Sequence, residues 1–335
     1  MVTINIENKK IGDNLPVYFV AEAGLNHNGN IKTAKQMIDT ALDCGSDAIK
    51  FQTYKTENFL TKKSEYFEFF KSVELSYSDF SELNDYAKQV GITFFSAPFD
   101  FESASFLQSI NVSCFKIASS DITNVPLLKQ IANTKIPTII STGLSTMAEI
   151  QTAVDIFQKA GNDQIIILHS VSNYPTDPSE SNLSVIETLK ENFPYPIGYS
   201  DNGSHDLVDL VAASLGYSLI ERHFTLDKKM EGPDHFFSIP PTELKNLISN
   251  IRLIEEIRGK PVKNPQPSES AIKNMIRKSI FANNTIEQGE VLSTNNIGVK
   301  RPASGIEPKF FDDVIGRTAK KKILSDDPIL WDDLD

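Results

Sequence analysis

Residues 17–23, VYFVAEA, form an apolar, β-rich run that carries one carboxylate, Glu22, near its end. Behind it Ile31, Ala34, Ile38 and Ala41 recur at helical spacing, and Gly45 closes the helix before the next β-rich run. The same strand-then-helix unit repeats along the chain, and polar residues stand where the later runs end. DAIKFQT carries Lys50 and Gln52, CFKIASS carries Lys116 and Ser119, and PTIISTG carries Ser141. IIILHSVSNYP leads to Ser172 and Tyr174, PIGYSDN to Ser200 and Asp201, and SLIERHF to Glu221 and His223. With ITFFSAPF, these runs alternate with helix-like stretches to give eight units over about 260 residues, which predicts an α/β fold of the (β/α)8 TIM-barrel type. The competing doubly wound sheet would place a glycine-rich phosphate fingerprint after its first strand, and GLNHNGN is only a weak version of one.

The rest of the chain narrows the function class. At 335 residues it has room for one large domain and one small one. A formal charge of -11 argues against nucleic acid and against anionic membranes, both of which call for clustered Lys and Arg. Cys44 and Cys114 fit no metal or redox spacing and read as buried thiols. The start, MVTINIENKK, does not resemble a secretory signal, and no apolar run is long enough to span a bilayer, so a soluble cytoplasmic protein is expected. The expected division is a catalytic barrel over residues 1–262, a proline-rich extended linker over 263–275, and a small β-rich domain over 276–335. Within that tail IEQGEVLSTNNI and ILSDDPILWDDL share their apolar spacing, which pairs Ile286 with Ile323, Leu292 with Ile329 and Ile297 with Leu334.

On a barrel rim Lys50 and Lys116 would converge on a small, highly charged anion, with the hydroxyls of Ser119, Ser141, Ser172 and Ser200 as slim donors. A strand-end lysine can equally point to water or to a carboxylate. Glu22 and His223 end the first and last strands, which become neighbours on closure, and His223 is a candidate metal ligand or acid/base group. His27 can order the first loop, His169 can be buried, His205 can open a helix and His235 lies in a loop. Phe99 and Tyr174 offer aromatic surface to a sugar ring, Asp234 sits in a turn-prone loop, and Arg301 adjoins a proline in a loop of the tail.

Taken in order, AEAGLNHNG, IKFQT, FKIASS, IISTG, YPT, GYSD, ERHFTLD, GPDHFFS and VKRP resemble the sialic acid synthase family, and the tail resembles that family's antifreeze-like (SAF) domain. The resemblance implies a transferase that condenses phosphoenolpyruvate with an N-acetylated mannosamine-type aldose, releasing phosphate and a sialic- or legionaminic-type nonulosonic acid. It places phosphoenolpyruvate at Lys50, Lys116, Ser119, Ser141, Ser172, Ser200 and the backbone of Ala97. It places the sugar at Glu22, Gln52, Phe99, Tyr174 and Asp234, with Glu22 as a proton-transfer or positioning group. It also implies a divalent metal, usually Mn2+ with Mg2+ as the alternative, and a domain-swapped homodimer in which Arg301 reaches the partner's site. One departure stands out: the family's metal pair is a histidine after the GxSD stretch and the histidine of ERHF, and here Asn202 follows GYSD. Asn202 with His223 is then the expected pair, through the amide oxygen, with weaker binding. The alternatives are a Schiff-base keto-acid aldolase using a barrel lysine and a weakened, carbohydrate-binding pseudoenzyme.

Overall fold

A computed structural model describes residues 2–335. The chain forms two compact units, Met1–Gly259 and Lys260–Asp335. The first begins with an antiparallel hairpin, β1 (Ile4–Ile6) and β2 (Lys9–Ile11), that the periodicity of the sequence did not announce. Its Ile4, Ile6 and Ile11 are buried with residues of the barrel interior.

The barrel elements follow in order: β3 (Tyr18–Gly24), α1 (Ile31–Asp43), β4 (Ala48–Thr53), α2 (Thr56–Phe59), α3 (Phe67–Val73), α4 (Tyr77–Val90), β5 (Thr93–Pro98), α5 (Phe101–Ser109), β6 (Phe115–Ile117), α6 (Val125–Asn133), β7 (Thr138–Ser141), α7 (Met147–Lys159), β8 (Ile165–Ser170), α8 (Val185–Asn192), β9 (Ile197–Asp201), α9 (Asp206–Leu215), β10 (Leu219–His223) and α10 (Pro241–Arg258). Strands β3 to β10 are parallel and close into one barrel, sealed where β10 pairs with β3. The helices start where local chemistry dictates. Asn30 accepts from Lys32 and Thr33 at the start of α1, and reciprocal capping boxes, Ser76 with Asp79 and Thr146 with Glu149, open α4 and α7. Apolar faces such as Ala34, Met37, Ile38 and Ala41 of α1 pack on the outside of the strands.

Alternation along each strand sorts side chains between two cores. Ile220 of β10 joins the layer between strands and helices, whereas Leu219 joins the barrel interior with Val20, Ala48, Phe95, Cys114, Ile139, Ile166 and Leu168. Two residues further along the same inward rows come Glu22, Lys50, Lys116, Ser141, Ser170 and Glu221. The fold therefore delivers the polar rim by period alone. Cys44 and Cys114 are free and buried. No helix among the described residues is long and apolar enough to cross a membrane.

In the second unit the expected extended linker is partly helical: α11 (Pro267–Ser270) and α12 (Lys273–Ile276) are short turns, and Pro267 is tolerated because it stands at the first helical position, where no backbone N–H is needed. An antiparallel pair, β11 (Ser279–Ala282) and β12 (Ile297–Lys300), follows. The residues paired by the repeat, Ile286 with Ile323, Leu292 with Ile329 and Ile297 with Leu334, all enter this unit's core, and Ile286 and Ile323 exchange backbone hydrogen bonds of 2.8 and 2.9 Å.

Candidate active site

At the C-terminal ends of the strands lies a cavity of about 320 Å³ lined by Glu22, Lys50, Gln52, Phe99, Lys116, Ser119, Ser141, Ser172, Tyr174, Ser200, Asn202, Glu221 and His223, among others. Its floor is a buried quartet. Lys50 Nζ lies 2.9 Å from Glu22 Oε2 and 3.1 Å from Glu221 Oε1, and Lys116 Nζ donates to both oxygens of Glu221 at 2.7 and 2.9 Å. Ser200 Oγ donates to Glu221 Oε1 (3.0 Å), and Gln52 Nε2 donates to Glu22 Oε1 (3.2 Å). Glu221, read from the sequence only as a polar residue at the end of its run, is thus the site's central counter-ion. The lysines converge as expected, but they reach each other through carboxylates rather than standing open.

Burial sets the electrostatics. It pulls the Lys116 ammonium down to about 8, against the pull of Glu221. It also acts to lower Lys50, but Glu22 and Glu221 outweigh it and leave that ammonium raised. Burial lifts the Glu22 carboxyl above its ordinary value against the opposing Lys50, whereas at Glu221 two ammonium groups overcome burial and hold the carboxylate near 2. Two positive and two negative groups nearly cancel, so an incoming anion need only displace carboxylate contacts, without desolvating free ammonium groups.

Beside the lysines the hydroxyls of Ser141 and Ser172 are buried with no hydrogen-bond partner. Ser119 Oγ accepts from the Gly143 amide at 3.1 Å. A Cβ on Gly143 would collide with Ser172 Oγ and stand 2.8 Å from Ser119 Oγ, so only glycine leaves this cradle open. Unpaired hydroxyls next to two ammonium groups form a polar recess built for oxygen-rich anions.

On the opposite flank His223, whose register partner is Glu22, has a buried Nδ1 without a hydrogen-bond partner, and burial lowers its imidazole to about 4. A neutral ring keeps a nitrogen lone pair available at neutral pH. Asn202 donates through Nδ2 to the Val171 carbonyl (2.8 Å) and Ser170 Oγ (3.3 Å), which leaves its amide oxygen as the atom for a cation. One nitrogen and one neutral oxygen suit a hard ion that keeps water or substrate ligands, and among the described residues no cluster of three or more His, Cys, Asp or Glu offers a closed cage. Tyr174 packs edge-on against His223 with ring centroids 5.9 Å apart, and Phe99 packs against Phe59 at 4.9 Å. Asp234 Oδ2 approaches His223 Nδ1 to 3.9 Å.

Three expected residues, Ala97, Asp234 and Arg301, are not among those that line the cavity. Ala97 is buried in β5 opposite Gln52, and its side chain is not part of the lining. Arg301 is exposed in the second unit. The other histidines take structural places. His27 Nδ1 accepts from the Gly29 amide, His169 Nε2 meets the Ser181 carbonyl, His205 stands at the N-cap of α9, and His235 Nδ1 meets Thr225 Oγ1.

The model of the NeuB family matches residues 37–263, and that of the SAF domain matches residues 277–335. The chain belongs to the NeuB family. Among relatives, an uncharacterized protein of Methanocaldococcus jannaschii is 47% identical, over 100% of this chain and 99% of the relative. The N,N'-diacetyllegionaminic acid synthase of Legionella pneumophila is 36% identical over 98% of this chain and 97% of its own. Among solved structures, the N-acetylneuraminic acid (sialic acid) synthetase of Leptospira borgpetersenii, in complex with citrate, superposes with a TM-score of 0.77 at 39% identity, over 81% of this chain and 94% of that one. Glu221 was the residue that sequence reasoning undervalued, and the signal was present: it lies two positions before His223 on the same inward-facing row.

Proposed function

We propose that this protein condenses phosphoenolpyruvate with an N-acetylated mannosamine-type aldose, of the N-acetylmannosamine or 2,4-diacetamido-2,4,6-trideoxymannose type, to give a nonulosonic acid and inorganic phosphate. The observation that carries this is the convergence of Lys50 and Lys116 on a recess with two unpaired serine hydroxyls. Lys116, Lys50 and Ser200 exchange part of their contact with Glu221 for the carboxylate and phosphate oxygens of phosphoenolpyruvate, and Ser119, Ser141 and Ser172 hold the phosphate. C3 of the enol then attacks the aldehyde carbon of the open-chain sugar, water adds at C2, and the C2–O bond to phosphate breaks.

Glu22, held by Lys50 and Gln52, lies at the junction of the two halves. Its raised carboxyl suits it to give a proton to the nascent alkoxide and to take one from the attacking water. Phe99 and Tyr174 wall the sugar half. His223 and the amide oxygen of Asn202 would hold a divalent cation, manganese or magnesium, which would supply Lewis-acid polarisation of the aldehyde oxygen. A domain-swapped homodimer would bring Arg301 of a second copy to the sugar.

The test is phosphate release from phosphoenolpyruvate with each candidate aldose in turn, with and without Mn2+. Release with one aldose class names the substrate, and no release with any defeats the proposal. One observation favours a second reading: an ammonium lowered to about 8 is a Schiff-base nucleophile in waiting, and that group is Lys116. Borohydride trapping of a keto acid on Lys116, without phosphate release, would establish that chemistry instead.

A further inference from the structure

His223 is the single imidazole on the metal flank of the cavity, so its tautomer decides whether the site has a nitrogen donor at all. The ring is wedged between Phe237 (centroids 5.2 Å apart) and Tyr174 (5.9 Å). Its Nδ1–Cε1 edge faces Gly24, where a Cβ would stand 3.3 Å from both atoms, and Nδ1 is shut away without a hydrogen-bond partner. The ring lines the cavity, and the edge left to do so is the one bearing Nε2.

Asp234 Oδ2 lies 3.9 Å from the enclosed Nδ1, and both face the same space beside Gly24, with 3.2 Å from Asp234 Oδ2 to the position of that Cβ. The loop backbone at Asp234 is pinned by hydrogen bonds. Ser238 donates to the Asp234 carbonyl through its amide (3.2 Å) and its hydroxyl (2.6 Å), and Asn26 in turn bonds both Ser238 Oγ (2.9 Å) and the carbonyl of Phe224, next to His223 (2.8 Å). A carboxylate beside one imidazole nitrogen fixes the proton on that nitrogen and directs the other lone pair away from it.

We propose that Asp234 is a positioning residue for the metal: its carboxylate, 3.9 Å from Nδ1, holds the His223 proton on that nitrogen by its charge and thereby presents the Nε2 lone pair to a divalent cation in the cavity. This rests on the reading that the site takes such a cation, and it gives Asp234 a task that precedes any contact with sugar. A neutral imidazole has one ring proton to place, and the carboxylate beside Nδ1 decides where it sits.

Mn2+ is titrated into the full-length protein without either substrate and followed by electron paramagnetic resonance. Asp234→Asn, whose amide can donate to Nδ1 and drive the proton to Nε2, is expected to weaken Mn2+ binding by about 10- to 100-fold. Asp234→Glu should recover part of that loss, and affinity for phosphoenolpyruvate measured without metal should stay within about twofold, since the lysines are untouched. Long-range proton–nitrogen correlation spectra of the metal-free protein should show His223 protonated on Nδ1 in the native chain and on Nε2 in Asp234→Asn, a signature that loop damage alone would not produce. Asp234→Asn binding Mn2+ as tightly as the native chain, with the Nδ1 tautomer kept, overturns the proposal. If instead native protein and His223→Gln take up Mn2+ alike, the metal reading of His223 fails and the proposal falls with it.

Discussion

The two ends of the barrel interior are made from the same strands, yet they differ as much as any two regions of the molecule. Toward the strand N-termini Val20, Ala48, Phe95, Cys114, Ile139 and Leu219 are sealed under the β1–β2 hairpin. One inward step further, Glu22, Lys50, Lys116, Ser141 and Glu221 form a charged floor under an open cavity. Apolar packing fixes the strands at one end, and the fixed strands at the other hold four charges in a row of ion pairs with contacts of 2.7–3.1 Å, at a cost in desolvation that packing must offset. Stability and chemistry are therefore separable along a single strand, and substitutions at the two ends should behave oppositely.

The largest effect is expected at the charged floor. Lys116→Met should lower phosphate release by about 10³-fold, because a buried cation aimed at developing charge is lost, and the turnover number measures it. The mirror-image change, Phe95→Ala at the sealed end, should cost about 3–5 kcal/mol in denaturant unfolding while leaving affinity for phosphoenolpyruvate within about twofold. If Phe95→Ala instead abolished binding, the two ends would not be separable.

Gly143→Ala probes the open end, two residues beyond Ser141. The added methyl would drive Ser172 and Ser119 apart, and a displacement of about 1 Å in a positioning group is worth about 100-fold in kcat/KM. Phosphoenolpyruvate saturation curves would show it.

The smallest effect concerns acid. Burial lowers His223 and His27 to about 4 from an ordinary 6.5. Between those values the unfolded chain binds protons that the folded one refuses, so stability is intact above about 6.5 and declines as pH falls toward 4. Thermal melts at pH 7 and pH 4.5 should show His223→Gln recovering about 2 kcal/mol of the acid loss. Equal acid sensitivity in both proteins would place the liability elsewhere.

The sequence made the barrel legible because period-2 alternation and helical spacing repeat eight times, and short-range caps such as Thr146 with Glu149 mark helix starts. The β1–β2 hairpin escaped because three-residue strands carry too little alternation. Helices α2 and α3 escaped because their aromatic residues, Phe59, Phe69 and Phe70, pack against one another and Tyr54 rather than along an amphipathic stripe. For the site, strand-end position and motif order identified the lysines, serines and His223. Neither could reveal that Glu221 bridges both lysines or that Asp234 stands beside Nδ1 of His223, because those relations arise only when β10 closes on β3 and the loop after it folds back.

The central claim, that the charged floor holds phosphoenolpyruvate for condensation with an aldose, is tested most directly with phosphoenolpyruvate labelled with 18O at the bridging C2 oxygen. Incubated with Mn2+ and the 2,4-diacetamido aldose or N-acetylmannosamine, the protein should release one phosphate per sugar acid formed, with the label in the phosphate. Absence of phosphate with both sugars, or label retained in the sugar acid, would contradict it.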